Sequence, residues 1–280
     1  MESCDASRPQ ATFRLTLAYD GTDFAGWQQH PRRRTIQEEL ETALARITGL
    51  RPRCKASGRT DAGVHALGQV VSFCSATRLE PAVLCKALNA ELPEDMLVFE
   101  VARAPDGFDA LRDAIGKRYR YVIEDGRLRD LFNRHYVWHI HHKLDVPAMQ
   151  AAAAGLLGTH DFISFQTSGS SRLTTERTVR DLTVERIASN LTDRVVIEVA
   201  ADGFLYNMVR NIAGTLVAVG RGKEAVTWPA EVVKMRDRRK AGMTAPAQGL
   251  FLVGVEYSAA VTQNAECRMQ NIGDDDEPLE

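Results

Sequence analysis

The stretch Lys55-Ala56-Ser57-Gly58-Arg59-Thr60-Asp61-Ala62-Gly63-Val64-His65 sets one carboxylate between two glycines, with an arginine two residues upstream. Glycines at both ends allow positive φ and a close approach of backbone to a ligand, while Arg59 supplies a positive charge that favours an ionised carboxylate. An ionised, partly desolvated Asp61 is a nucleophile or a base. Asp and Gly are also what ordinary turns use, so Thr60 to Gly63 by itself fits a plain turn. The β-branched and aromatic run Gly68 to Phe73 follows, which puts Asp61 on a turn leading into a strand.

Three other stretches carry chemistry-bearing side chains. In Arg118-Tyr119-Arg120-Tyr121, strand alternation predicts both tyrosines on one face and both arginines on the other. Such tyrosines are either core residues or an aromatic surface for a ring to stack on. From Phe204 onward, Phe204, Met208, Ile212 and Leu216 recur as one helical stripe, leaving Asn207, Arg210, Asn211 and Gly214 on another face. Arg210 therefore points away from that stripe, as a surface arginine or as part of a site. In Trp138-His139-Ile140-His141-His142 the side chains of His139 and His141 share a strand face, but no neighbouring carboxylate completes a ligand set. Solvated histidines at a strand end explain this run better than a metal site, and no metal is expected.

The elements that must position these residues follow from periodicity. Phe13 to Tyr19 alternates and reads as a strand, and Asp20-Gly21 ends it. Thr35-Ile36-Gln37-Glu38 is a capping box that opens a helix carrying Ile36, Leu40, Leu44 and Ile47 until Gly49. A short strand into Ser57, the Asp61 turn, the strand ending at Phe73, a helix opened by Pro81 and a strand from Met96 to Val101 complete the order β-α-β-β-α-β. That order is ferredoxin-like and is shared with RNA-binding RRM domains. The rest of the chain repeats it: a strand Tyr119 to Ile123, a helix capped by Asp145 through Met149 to Leu157, and a hairpin of Thr178 to Ile187 with Val195 to Ala200. A helix Phe204 to Val219 and a strand Leu250 to Val255 close the set, with an extra helix near Ala230 to Arg239.

The expected fold is thus α+β, two ferredoxin-like or RRM-like halves (13–107 and 108–258) sharing a largely antiparallel sheet with a cleft across it. Residues 1–12 and the acidic tail 259–280 are expected to be disordered, and Ser164 to Thr175 to be a mobile loop.

With 280 residues, 44% of them hydrophobic, the chain can bury a sizeable core. The net charge of −2 hides an asymmetry, because residues 261–280 hold six acidic residues and one arginine and the remainder carries +3. A mildly basic body is compatible with a nucleic-acid partner, which needs a local patch more than a global excess; Arg32-Arg33-Arg34 and Arg236 to Lys240 are candidates, as patches or as solvated faces. Cys4, Cys54, Cys74, Cys85 and Cys267 are odd in number and scattered, which argues against a zinc ribbon or a disulfide framework. No apolar run suits a membrane span and residues 1–10 lack the apolar region of a signal peptide, so the sequence reads as soluble and cytoplasmic.

Gly58-Arg59-Thr60-Asp61-Ala62-Gly63-Val64-His65 followed by Gly68-Gln69-Val70 resembles the signature of the tRNA pseudouridine synthase A family. Further stretches similar to that family recur from about Phe13 to Tyr257: Tyr19-Asp20-Gly21-Thr22, Phe24-Ala25-Gly26-Trp27-Gln28, Lys117 to Tyr121, His160-Asp161-Phe162, Met208-Val209-Arg210-Asn211, and Thr244-Ala245-Pro246-Ala247 with Gly249-Leu250. The resemblance implies a cofactor-free isomerase that converts uridine to pseudouridine in tRNA, at positions 38, 39 and 40 of the anticodon stem and loop, and that works as a homodimer. It implies Asp61 as the nucleophile, Arg59 holding the base out of the RNA stack, Tyr119 against the base, and Arg210 pairing with Asp61 and lowering its pKa by ~1 to 3 units. It places Gly249 to Leu252 beside the base as an apolar wall, with Leu252 as the contact. One stretch departs from the pattern: Phe108-Asp109-Ala110-Leu111 stands where Phe-His-Ala-Arg is usual, with Arg112 one place later, a shift that reverses the side chain's face if the segment is extended. The alternatives are a catalytically inactive RNA-binding protein on the same scaffold, against which the intact Asp61, Tyr119 and Arg210 set argues, and a metal-dependent hydrolase built on the histidine run.

Overall fold

The structure, a computed structural model, describes residues 10–167, 174–188 and 192–259. The expectations for the acidic tail from residue 260 and for residues 1–9 lie outside the described residues, as does the centre of the Ser164 to Thr175 segment; of the expected disordered start 1–12, Ala11 and Thr12 instead belong to the first strand, Ala11–Tyr19.

The first half contains β1 (Ala11–Tyr19), α1 (Ile36–Thr48), β2 (Lys55–Ala56), β3 (His65–Ser75), α2 (Pro81–Glu91) and β4 (Met96–Arg103). The second contains β5 (Ala114–Asp125), β6 (Trp138–Ile140), α3 (Val146–Ala153), β7 (Gly158–Asp161), β8 (Glu176–Ile187), β9 (Arg194–Ala201), α4 (Met208–Gly220), α5 (Trp228–Met235) and β10 (Leu250–Tyr257). The ten strands among the described residues form one sheet, whose central path runs β4-β1-β3-β10-β5-β9-β8-β7, with β2 on β3 and β6 on β5. Each half keeps the spatial order fourth-first-third-second: β4-β1-β3-β2 in the first and β10-β5-β9-β8 in the second. The duplication expected from topology is therefore present. The sheet is antiparallel except for β5 with β6 and for the joint between the halves, where β10 runs parallel to β3 with Phe251 opposite His65 and Leu252 opposite Ala66.

Local sequence explains the elements that frame the joint. Thr35 accepts from the Glu38 amide and opens α1, and Gly49 closes it at φ 77°. The reciprocal half of the capping box is not used, because Glu38 turns outward to Arg51 at 2.8 Å. Asp145 caps α3 by accepting from the Ala148 amide. One apolar cluster runs under the whole sheet, from Phe13, Leu15, Leu40 and Leu88 to Tyr121, Met149, Ile212 and Leu216. On the opposite face Val70, Phe108 and Ala110 form a small second cluster, where the connection from β4 to β5 crosses the sheet.

Two expected boundaries change. α4 begins at Met208 and not at Phe204, because Asn207 takes the left-handed conformation at φ 59° and the chain must first turn away from β9. Ser164 is fully buried in a 3-10 turn, Phe162–Phe165: the two phenylalanines bury completely and carry Ser164 inward, where its hydroxyl donates to the Val232 carbonyl at 2.7 Å. Among the described residues no helix is long and apolar enough to cross a membrane.

Candidate active site

A cleft of about 650 Å³ opens between the halves, above the joint of β3, β10 and β5. Its lining includes Asp61, Arg59, Tyr119 and Arg210, which the chain supplies from the turn before β3, from β5 and from α4. The four residues are brought together as the sequence suggested.

The Asp61 turn is fixed from both sides. The Ser57 amide donates to the Val70 carbonyl at 2.8 Å, Gln69 Nε2 donates to the Gly58 carbonyl at 2.7 Å, and Thr60 Oγ1 lies 2.8 Å from Tyr19 Oη. At the far end His65 is buried; its Nδ1 accepts from the Gly21 amide at 3.0 Å, and its Nε2 faces the His135 and Gln248 carbonyls at 3.2 Å each. Burial pulls this imidazole below its ordinary pKa, against the nearby Asp20 carboxylate, so it serves as a neutral brace between the halves. The loop before α1 lies against the turn: Trp27 donates its amide to the Thr60 carbonyl at 2.9 Å, and a Cβ on Gly26, itself at φ 95°, would sit 2.6 Å from that oxygen. Of the two glycines flanking Asp61, Gly63 takes positive φ (76°), whereas Gly58 lies over the cleft floor, where a Cβ would meet Lys117 and Tyr119 only at ordinary contact distance.

Across the cleft, Arg210 Nη1 stands 3.5 Å from Asp61 Oδ2. Arg210 is itself held, donating from Nε to the Ala245 carbonyl at 2.7 Å and from Nη1 to Asn207 Oδ1 at 3.0 Å. The expected depression of the Asp61 pKa is reversed. Burial pushes this carboxyl above its ordinary value, and the guanidinium offsets only part of the shift. Arg59 is exposed at the rim, with no ion-pair partner among the described residues. The pairing charge is thus Arg210 from the other half and not the arginine next to it in sequence.

Tyr119 is buried, and its ring meets Phe204 edge-on with centroids 4.9 Å apart. Burial, the neighbouring Tyr19 and the Asp61 charge all raise its pKa, so the phenol stays neutral. The expected alternation along β5 holds: Tyr119 and Tyr121 are buried, while Arg118 and Arg120 lie on the other face against Asp181 and Glu198, each with a contact at 2.7 Å. That outer face is not a free basic strip. In the apolar run Gly249 to Leu252, Leu250 lines the cleft, Phe251 stacks on His65 with centroids 4.7 Å apart, and Leu252 is fully buried in the core, paired with Tyr119 and Ala66. The structure places Leu250, two residues earlier on the same strand face, where the sequence put Leu252.

The departure at Asp109 falls on a turn and not on an extended segment. Asp109 Oδ1 accepts from the Leu111 and Arg112 amides at 3.0 and 3.2 Å, and Oδ2 pairs with Lys55 Nζ at 2.9 Å. Asp109, Leu111 and Arg112 all line the cleft, so the argument about reversed faces does not apply. Exposed Arg53, Lys55, Arg59 and Arg112 ring the mouth. Of the other basic runs, Arg32 and Arg33 are exposed, but Arg34 is tied to Asp95 and lies over Phe24, and Arg238 donates to Asn211 Oδ1 at 2.8 Å. His139 Nε2 lies 3.0 Å from the Gly126 carbonyl, and no group of three or more possible ligands is gathered to hold a metal among the described residues.

Sequence reasoning missed Trp27, Phe204, Asn207 and Lys117 as lining residues. Lys117 left a signal in lying two residues before Tyr119 on the same strand face, and Asn207 in sharing a helical face with Arg210.

A model of the tRNA pseudouridine synthase family matches residues 16–110 and 152–258. The tRNA pseudouridine synthase A of Acetivibrio thermocellus is 43% identical over 245 residues, which cover 87% of this chain and 98% of that protein. That of Myxococcus xanthus is 43% identical over 244 residues (87% and 91%), and that of Halalkalibacterium halodurans 44% identical over 238 residues (85% and 89%).

Proposed function

The chain belongs to the tRNA pseudouridine synthase family, and from that premise we infer that its cleft isomerises uridine to pseudouridine in tRNA. The observation that carries the site assignment is the Asp61 carboxylate facing Arg210 at 3.5 Å in a cleft floored by Tyr119. The reaction cuts C1′ from N1, turns the uracil and joins C1′ to C5, with no change of oxidation state and no cofactor. Asp61 is the nucleophile, Arg210 keeps it ionised, and Tyr119 offers a ring for the base to stack on. A target uridine enters flipped out of the RNA, Arg59 at the rim holds it there, and Leu250 with Phe204 walls the base. The cations at the mouth engage phosphates and make binding weaken with salt.

The finer reading is an anticodon stem-loop substrate handled in the cytoplasm by a homodimer. A tRNA is larger than this 31.0 kDa chain, and a two-fold pair would bring Arg32 and Arg33 of both copies to one RNA. The test is to map pseudouridine in tRNA incubated with the purified protein, with light scattering at the assay concentration. Pseudouridine confined to the anticodon arm and a mass twice that of the chain are expected; no pseudouridine overturns the activity, and a monomer overturns the pairing.

Tyr119 also has a part in the proton transfer. As a neutral phenol it accepts the C5 proton only while passing its own to another base, and Asp61 becomes that base once C5 holds C1′ and the carboxylate is free. Tyr119→Phe is therefore expected to leave tRNA affinity within about threefold and to slow single-turnover pseudouridine formation by about 10²-fold. An unchanged chemical step would confine Tyr119 to stacking.

A further inference from the structure

Lysine is among the residues least often buried, yet Lys117 is 8% exposed and lies on the floor of the cleft. It shares a face of β5 with Tyr119. Its Nζ donates to the Ser57 carbonyl at 2.6 Å. A Cβ built on Gly58 would stand 3.4 Å from Lys117 Nζ and 3.7 Å from Tyr119 Oη, so ammonium, phenol and backbone converge beneath the turn that carries Asp61.

We propose that Lys117 is a catalytic residue, whose ammonium stabilises the negative charge that collects on uracil while the base is detached from the sugar. The proposal rests on the reading of the Asp61 cleft as a uridine isomerase. When C1′–N1 breaks, its electron pair stays with the uracil and spreads from N1 onto O2 and O4. That charge persists until C5 bonds to C1′, which leaves a neutral ring that then loses the proton from C5 and gains one at N1. Asp61 is an anion and cannot stabilise it, and Arg210 is tied to Asn207, Ala245 and Asp61 on the far wall. A cation already fixed in a half-enclosed site acts more strongly than it would in water and needs no reorganisation as the charge develops.

A merely structural lysine would hold the cleft floor without sensing the leaving group, so the test varies the leaving group. Fluorine at C5 makes the departing uracil anion more stable, and the contribution of Lys117 should shrink with it. Wild type, Lys117→Met and Lys117→Arg are compared in single turnover on tRNA carrying uridine or 5-fluorouridine at the target, following loss of the starting nucleotide. Lys117→Met is expected to slow the uridine substrate by about 10²-fold at unchanged tRNA affinity, and Lys117→Arg by less than about tenfold. The Met deficit should fall at least about fivefold on 5-fluorouridine. Equal slowing of both substrates, or a Met variant within about threefold of wild type on uridine, overturns the proposal. If Lys117→Met does not melt cooperatively, Lys117→Gln takes its place with the same criteria. A wild type that makes no pseudouridine overturns the underlying reading instead, and is told apart by that first measurement.

Discussion

Asp61→Asn is expected to lower single-turnover pseudouridine formation by at least about 10⁴-fold while leaving tRNA affinity within about threefold. The substitution keeps the size of the side chain and its place on the turn, and it removes the nucleophilic oxygen anion. Binding survives because the cations at the mouth, Arg53, Lys55, Arg59 and Arg112, are untouched. Thermal melting adds an independent check, since the carboxyl sits above its ordinary pKa because of burial. A carboxyl whose folded pKa is raised costs stability when ionised; the cost is present at neutral pH and fades as pH falls through the folded pKa. Removing the charge should therefore raise Tm at pH 7 and leave it nearly unchanged at pH 4, the pattern of a group kept for function at the expense of stability. Turnover within about tenfold of wild type would remove Asp61 from the nucleophile's place, and a Tm that falls at pH 7 would mean that burial does not outweigh the pairing with Arg210.

How far the sequence could reach is clear from particular residues. The Asp61 turn, the faces of Tyr119 and Arg118, and the caps at Thr35 and Asp145 were legible because each depends on a few consecutive residues. The doubled β-α-β-β-α-β order was legible for the same reason, since strands and helices of this length announce themselves by their period. What failed depended on contacts between segments far apart in the chain. Arg59 is near Asp61 in sequence but leans to the rim, and the guanidinium that faces the carboxylate is Arg210 of the other half, a pairing that the family resemblance implied and local spacing alone did not. The sign of the Asp61 shift followed from how deeply two halves bury it, which local sequence does not encode. Leu252 and Leu250 share a strand face, so period alone could not say which of them reaches the cleft; the parallel joint to Ala66 decides it. Phe204 kept helical spacing with Met208, yet the reversal out of β9 needs the left-handed Asn207 between them. Asn207 then gains a second task, since its side chain holds Arg210.

Replacing Arg210 by Met should expose the opposition between burial and pairing at Asp61. In the wild type the guanidinium at 3.5 Å offsets part of the shift that burial imposes on the carboxyl. Without it only the upward part remains, so the Asp61 pKa rises further and the carboxylate is present only at higher pH. The sign is fixed by the chemistry: the nucleophile must be ionised, activity falls as pH drops through its pKa, and a higher pKa moves that fall toward neutrality. Arg210→Met is expected to slow single-turnover isomerisation at pH 7 by about 10³-fold, and to move the acid limb of the pH–rate profile upward by more than about one pH unit. Part of the loss comes from protonation and should return at pH 9. The rest reflects loss of the hydrogen bonds to Ala245 and Asn207 that hold this wall of the cleft, and should not return. Arg210→Lys keeps the charge but not the fork of donors, so its acid limb should stay near that of the wild type although its plateau is lower. An acid limb that does not move in Arg210→Met would mean that Arg210 does not tune Asp61, and that the 3.5 Å pair serves only to hold the two halves in register.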